Sequence, residues 1–103
     1  MYKIKFLPSA KKDIDNIIYY VSNDLNNKSA AKKLSKSFIE CANEILIFPY
    51  GEPIYGLSKK MNQEYRCIKI KNYCMFYVVN EKLKEVIVVR VLYKKMNINN
   101  ILK

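Results

Sequence analysis

The sequence predicts an α+β fold, ordered β-α-α-β-β-β. A helical hairpin should pack on one face of a small, mainly antiparallel twisted sheet. Three observations lead there. Apolar residues alternate with lysines at the start, form three short strand-like runs close together in the second half, and recur every three or four residues between. The helical stretch falls into two stripes separated by only a few turn-forming residues, which makes an antiparallel pair. Such a pair must bury its stripe, and the one large apolar surface on offer is a sheet face. With 103 residues, half of them apolar, the chain is sized for a single domain, 1–103, with one modest core.

The opening stretch Tyr2–Leu7 sets Lys3 and Lys5 against Ile4 and Phe6, the pattern of a half-buried strand. Pro8 breaks it, and Ser9 is positioned to cap a helix. From Ala10 the spacing of Ile14, Ile17, Ile18, Val21 and Leu25 draws one helical stripe, with Asp13 and Asp15 near the positive end of the helix dipole. The run Ser22 to Asn27 is turn chemistry. A second stripe follows at Ala31, Leu34, Phe38, Ala42, Ile45 and Leu46, with Asn27 or Ser29 as cap. It ends at Phe48-Pro49, because a residue before proline avoids the helical region. Pro49 to Pro53 is a turn, and the chain reads as irregular and basic through Lys59-Lys60. Three strands come next, at 65–70, 73–79 and 85–93, joined by a tight turn at Lys71-Asn72 and a longer one over Asn80–Lys84. Ile98, Ile101 and Leu102 offer a last helical turn or a docking tail.

Charge narrows the function. The net charge is +10, and it is uneven: residues 1–52 carry 8 basic and 6 acidic side chains, residues 53–103 carry 11 and 3. A basic C-terminal half suits nucleic acid or an acidic partner. The chain uses lysine nearly throughout, and its two arginines, Arg66 and Arg90, both fall in that half. Arginine offers a planar fork for phosphate or carboxylate. It equally serves as a structural ion pair or as a stem packed on aromatic rings, and composition leaves both roles open. The sheet face turned away from the helices is expected to carry Arg66, Lys69, Lys71 and Arg90 among Tyr65, Tyr73, Tyr77 and Tyr93. Such a face would suit phosphate contact and base stacking.

Other chemistries find little support. Histidine is absent, which removes the commonest general base and metal ligand. Cys41, Cys67 and Cys74 form no CxxC pair and read as small buried hydrophobes in a reducing cytoplasm. Gly51 and Gly56 make no phosphate loop, so no metal and no cofactor are expected. No apolar run is long enough for a membrane span, and the start lacks the apolar core of a signal peptide. The expectation is a cytoplasmic protein without a membrane partner.

Five segments, in order, resemble the RelE/ParE toxins of bacterial type II toxin–antitoxin modules. They are the strand-to-helix entry Leu7 to Ile14, the hairpin end Phe48-Pro49 with Gly51 and Pro53, the strands Tyr65 to Ile68 and Asn72 to Val79, and Val88 to Tyr93 with the tail. The resemblance implies a growth-inhibiting toxin neutralised by a cognate antitoxin protein. In the ParE branch the target is DNA gyrase. In the RelE branch it is mRNA in the ribosome, cut by a metal-independent endoribonuclease. A binding module for nucleic acid without toxicity is the third reading.

The resemblance carries candidate catalytic residues onto Arg66, Arg90, Tyr93 and Lys95, and target-binding residues onto Lys59, Lys60, Lys69, Lys71 and Lys94. Two departures weigh against nuclease chemistry. Cys74 stands where the family commonly has arginine, and Tyr93-Lys94-Lys95-Met96-Asn97 replaces a Gly-Arg-Arg-Asp run. Losing one charge-stabilising donor of this kind removes about 3–4 kcal/mol of transition-state binding. The ParE branch is therefore slightly favoured.

Overall fold

The computed structural model describes residues 1–58 and 62–95. Lys59, Lys60 and the tail beyond Lys95, with Ile98, Ile101 and Leu102, lie outside the described residues. The elements are β1 (Lys3–Phe6), α1 (Pro8–Tyr19), a π-helical turn (Tyr20–Asp24), α2 (Lys28–Ile47), β2 (Ile54–Ser58), β3 (Gln63–Ile70), β4 (Tyr73–Asn80) and β5 (Glu85–Tyr93). They build one five-stranded sheet in the order β1-β5-β4-β3-β2. All pairs are antiparallel except β1 with β5. The α+β class, the helix pair on one face and the antiparallel three-stranded centre match the sequence reading.

Local chemistry explains the boundaries. Pro8 occupies the first helical position, where its missing N–H costs nothing, and Leu7 is the cap residue. Ser9 does not cap the helix. Its hydroxyl donates to the Val89 carbonyl at 2.9 Å, tying the start of α1 to β5. α2 is capped as expected, the Asn27 Oδ1 accepting from the Ala30 N–H at 3.0 Å. It runs to Ile47, immediately before Phe48-Pro49.

Both helices cover the same sheet face. Ala10, Val21, Ala31, Leu34, Phe38 and Ile45 meet Ile68, Ile70, Met75, Tyr77, Val86, Val88 and Val91, while Ile14, Ile17 and Ile18 are half-buried against them. Leu25 departs from the helical stripe and is 55% exposed. The cause is the π-turn, where the Leu25 N–H reaches back five residues to the Tyr20 carbonyl at 3.0 Å. One extra residue in a turn rotates the next side chains out of register.

Two further departures concern strands. The stretch after Pro53 is not irregular: Ile54–Ser58 pairs with β3 as an edge strand, with a register shift between Ile54 and Gly56. Gly56 lies opposite Tyr65, and a Cβ there would stand 2.6 Å from the Tyr65 hydroxyl oxygen. Glycine thus lets the Tyr65 ring lie flat over the edge strand. A bulge between Phe76 and Tyr77 inserts one residue into β5. It separates Val88 from Arg90 as partners of adjacent β4 residues.

Candidate target-binding surface

The two faces of the sheet divide the candidates differently from the sequence expectation. Side chains alternate along a strand. On β3 that puts Ile68 and Ile70 toward the helices, together with Arg66, which lies opposite the helix-side Tyr77. Tyr73 also packs toward the helices, and Tyr93 lies opposite it. The other face carries Tyr65, Cys67, Cys74, Phe76, Val78, Val89 and Leu92, all buried, with Leu7 and Ile87 beside them. Of the candidate cations, alternation places Lys69, opposite Cys74 and exposed, on this face, and it places Lys3 and Lys5 of β1 there as well. A face of interleaved arginines and tyrosines is therefore not what forms. The error came from both faces being apolar, so that periodicity carried no information about which residues point outward.

Arg90 is held within the molecule. Its Nε donates to the Asp13 Oδ2 at 2.7 Å and its Nη2 to Oδ1 at 2.9 Å. The Val91 N–H adds a third bond to the same carboxylate at 3.0 Å. The Asp13 side chain is 14% exposed and the Arg90 side chain 30%. This pair bolts α1 to β5 just beyond the point where β1 stops. A guanidinium whose fork already faces a carboxylate keeps other N–H groups, but it no longer offers that fork or its full charge to a phosphate.

Arg66 has different partners. Its Nη1 donates to the Glu52 carbonyl, and its guanidinium lies 5.1 Å from the centroid of the Tyr50 ring. The Tyr50 hydroxyl continues the chain, donating to the Glu81 Oε2 at 2.6 Å, and the Tyr2 hydroxyl donates to the same oxygen at 2.6 Å. Lys84 pairs with the other carboxylate oxygen. Lys84, then Tyr2 and Tyr50, hold the Glu81 carboxyl down at about 2. In return Glu81 pushes the Tyr50 phenol up to about 12. The buried Tyr77 hydroxyl donates to the Pro49 carbonyl at 3.1 Å, and burial pushes that phenol up to about 12 as well. Glu81, Tyr50 and Tyr77 are thus each shifted away from the near-neutral range that suits proton transfer at physiological pH.

The remaining candidates sit elsewhere. Tyr93 closes β5 and is 38% exposed. Lys71 stands in the β3–β4 turn with φ of 54°, and Lys94 and Lys95 follow β5, all three exposed. Arg66 and Ile70 are four residues apart on β3, which is ~13 Å of strand. Ile70 is level with Tyr73 and Tyr93. Arg66 thus lies near the middle of the sheet and Tyr93 at the end of β5, while Arg90 is tied to α1. They do not converge on one reacting centre. The thiols are quiet: burial first, and then contact with Cys74, pushes Cys67 up to about 12. Among the described residues no group of three or more His, Cys, Asp or Glu side chains is arranged to hold a metal ion.

Residues 4–98 match the family model described as "ParE toxin of type II toxin-antitoxin system, parDE". The chain belongs to the ParE toxin family. This ParE-family toxin shares its fold with the chromosomal ParDE toxin–antitoxin system of P. aeruginosa, at a TM-score of 0.69 and 19% identity, over 90% of this chain and 96% of that one. It is also similar in fold to a chain of the intact E. coli RelBE toxin–antitoxin complex, at a TM-score of 0.59 and 18% identity, covering 93% and 100% of the two chains. The isolated E. coli RelE toxin follows at 0.57 and 17%, over 97% and 93%. No curated protein matches the sequence. Among the described residues of this ParE-family toxin, no helix is long and apolar enough to cross a membrane.

The sequence did not flag Glu81 or Tyr50, and it read Asp13 as a helix-dipole acid, whereas the first turn of α1 holds no acid and Asp13 pairs with Arg90. A pair separated by 77 positions leaves no local signal. The clue available was rarity: with only two arginines, an acid near the start of a helix was a candidate partner.

Proposed function

We propose that this toxin arrests growth by ParE-like poisoning of DNA gyrase rather than by cutting RNA. The observation that carries the reading is the commitment of Arg90 to Asp13, which takes one of the two arginines out of transition-state chemistry. Two further facts support it. Arg66 is spent on Glu52 and Tyr50, and Cys74 is buried where the related nucleases commonly have arginine. Neutralisation falls to a cognate antitoxin whose binding segment is acidic. With a net charge of +10, the toxin's encounter with it is steered by charge and slows as salt rises.

The test is induction of the full chain in cells without antitoxin, with DNA breaks and mRNA 5′ ends mapped in parallel. Gyrase-dependent DNA cleavage with intact messages is the expected result. Ribosome-dependent message cleavage with undamaged DNA would overturn it. One feature favours that second, RelE-like reading: Lys69 is exposed directly across from Cys74, so a cation does adjoin that position. Cys74→Arg therefore discriminates. It raises message cleavage in a weakened nuclease and leaves it absent in a gyrase poison.

A further inference from the structure

The two edges of the sheet are guarded differently. β1, at one edge, carries the exposed Lys3 and Lys5, the kind of side chain that keeps an open strand from pairing with another chain. β2, at the other edge, reads Ile-Tyr-Gly-Leu-Ser and has no charged residue. Its Ile54 is 51% exposed and its Leu57 60%. These two lie opposite Arg66 and Glu64, which alternation puts on the helix-side face. Beyond Ile54 the line of the strand runs into a cavity of about 340 Å³, walled by Glu44, Ile45, Phe48, Gly51, Glu52 and Ile68. The Phe48 ring is exposed there. Charge sets this corner apart from the rest of the molecule. Residues 37–58 hold Glu40, Glu44 and Glu52 and no lysine or arginine, although the net charge is +10; Lys36 and Lys59 flank the stretch in sequence. Glu64 adds an exposed carboxylate opposite Leu57. Among the described residues, none of these four carboxylates is in an ion pair. Arg66, which faces the strand from β3, is turned to the Glu52 carbonyl and the Tyr50 ring.

An open strand edge presents main-chain N–H and C=O groups at a spacing that another extended polypeptide matches. Exposed apolar side chains along it suit apolar residues of that added strand, and carboxylates around it suit cations. We propose that β2 is a docking edge for an extended, basic segment of a partner protein. The segment adds as a sixth strand and sets its apolar residues on Ile54 and Leu57. A lysine or arginine stem lies along Phe48, so that its cation meets Glu44 and Glu52. A second copy of this chain joined β2 to β2 is the poorer occupant, since it offers an uncharged strand in place of a basic one. An acidic segment, such as the one proposed to neutralise the toxin, is repelled by the same carboxylates. The docking edge is therefore separate from neutralisation, and it does not depend on the gyrase reading.

The purified full chain is titrated with two fluorescein-labelled peptides, one alternating lysine with valine and one alternating glutamate with valine. The lysine peptide binds and the glutamate peptide does not, the reverse of what the net charge of +10 favours by itself. Methylating alternate backbone nitrogens of the lysine peptide, which removes the donors that face the edge, weakens it roughly 10-fold or more. Glu44→Gln combined with Glu52→Gln weakens it roughly 2- to 30-fold, the range for two exposed ion pairs. Leu57→Lys gives β2 the guard that β1 has and weakens binding too. Leu57 is mostly exposed, so this variant keeps the fold and decides the matter should the glutamine variant melt early. Equal or tighter binding of the glutamate peptide, full affinity of the methylated peptide, or undiminished binding by Leu57→Lys would each overturn the proposal. So would self-association in sedimentation that Leu57→Lys disperses, because the edge would then belong to a second copy.

Discussion

Removing the Asp13 carboxylate tests whether Arg90 is a bolt or a working group. Asp13→Ala deletes three hydrogen bonds at once: two from Arg90 and one from the Val91 N–H. A charge-assisted hydrogen bond contributes about 1.5–3 kcal/mol, and stranding one partner of a fully buried pair costs about 3–5. Here the Arg90 side chain keeps 30% exposure, so water recovers part of the loss. We expect a destabilisation of about 2–3 kcal/mol, which for a chain of this size lowers the melting temperature by about 10–20 °C. Asp13→Asn keeps an acceptor for Val91 and costs about half as much. Arg90→Ala should cost ~1–2 kcal/mol, and the double variant should cost less than the two single changes combined, a coupling that only contact between the residues produces. Thermal and urea melts of the four proteins read the cycle. If Arg90→Ala melts with the parent while abolishing growth arrest, the bolt assignment is wrong and Arg90 returns to the working surface.

Three other outcomes are expected from the fold. Glu81 has its carboxyl lowered to about 2, so its clasp is fully present above the unfolded carboxyl pKa and is lost as pH falls from about 4.5 toward 2. Tyr50 is raised to about 12, so its share is present below pH 10 and lost as pH rises through about 12. Melting curves of Glu81→Gln across both windows should be flatter than the parent's, and unchanged curves would remove the clasp from the stability account. Gly56→Ala forces a Cβ to within 2.6 Å of the Tyr65 hydroxyl, displacing that ring from Phe76 and Tyr55. A loss of about 1–3 kcal/mol is expected, which Tyr65→Ala in the same chain largely abolishes. Asn27→Ala removes the cap of α2 and should cost about 1 kcal/mol, whereas Asn27→Ser retains most of the stability in the same melt.

The elements most legible in the sequence were those with a clean period. The spacing of Leu34, Phe38, Ala42 and Ile45 located α2, and the Lys-Ile-Lys-Phe alternation located β1. The turns at Lys71-Asn72 and before Pro49 were legible because their residues do a specific stereochemical job. β2 was not, since Pro53 and Gly56 argue against a strand, and the edge position that tolerates them is a tertiary fact. The π-turn was hidden for a similar reason: Leu25 continues the helical spacing perfectly well on paper. The candidate site was the least legible part. Cross-strand partners decide whether Arg66 meets a ligand or the Tyr50 ring, and both faces of β4 are apolar, so alternation on that strand was mute.

The parallel pairing of β1 with β5 has a consequence for synthesis. Lys3 is made well before Glu85, its sheet neighbour and 82 positions further along the chain. The bolt at Asp13 likewise waits for Arg90. At 5–20 residues per second, β1 and the start of α1 spend roughly 4–16 s without their partner strand. The centre of the sheet is translated after both helices, since β3, β4 and β5 follow α2 in the chain. The helical hairpin therefore emerges before any sheet exists to receive it. The apolar stripes of α1 and α2 stay uncovered until β3, β4 and β5 have been made.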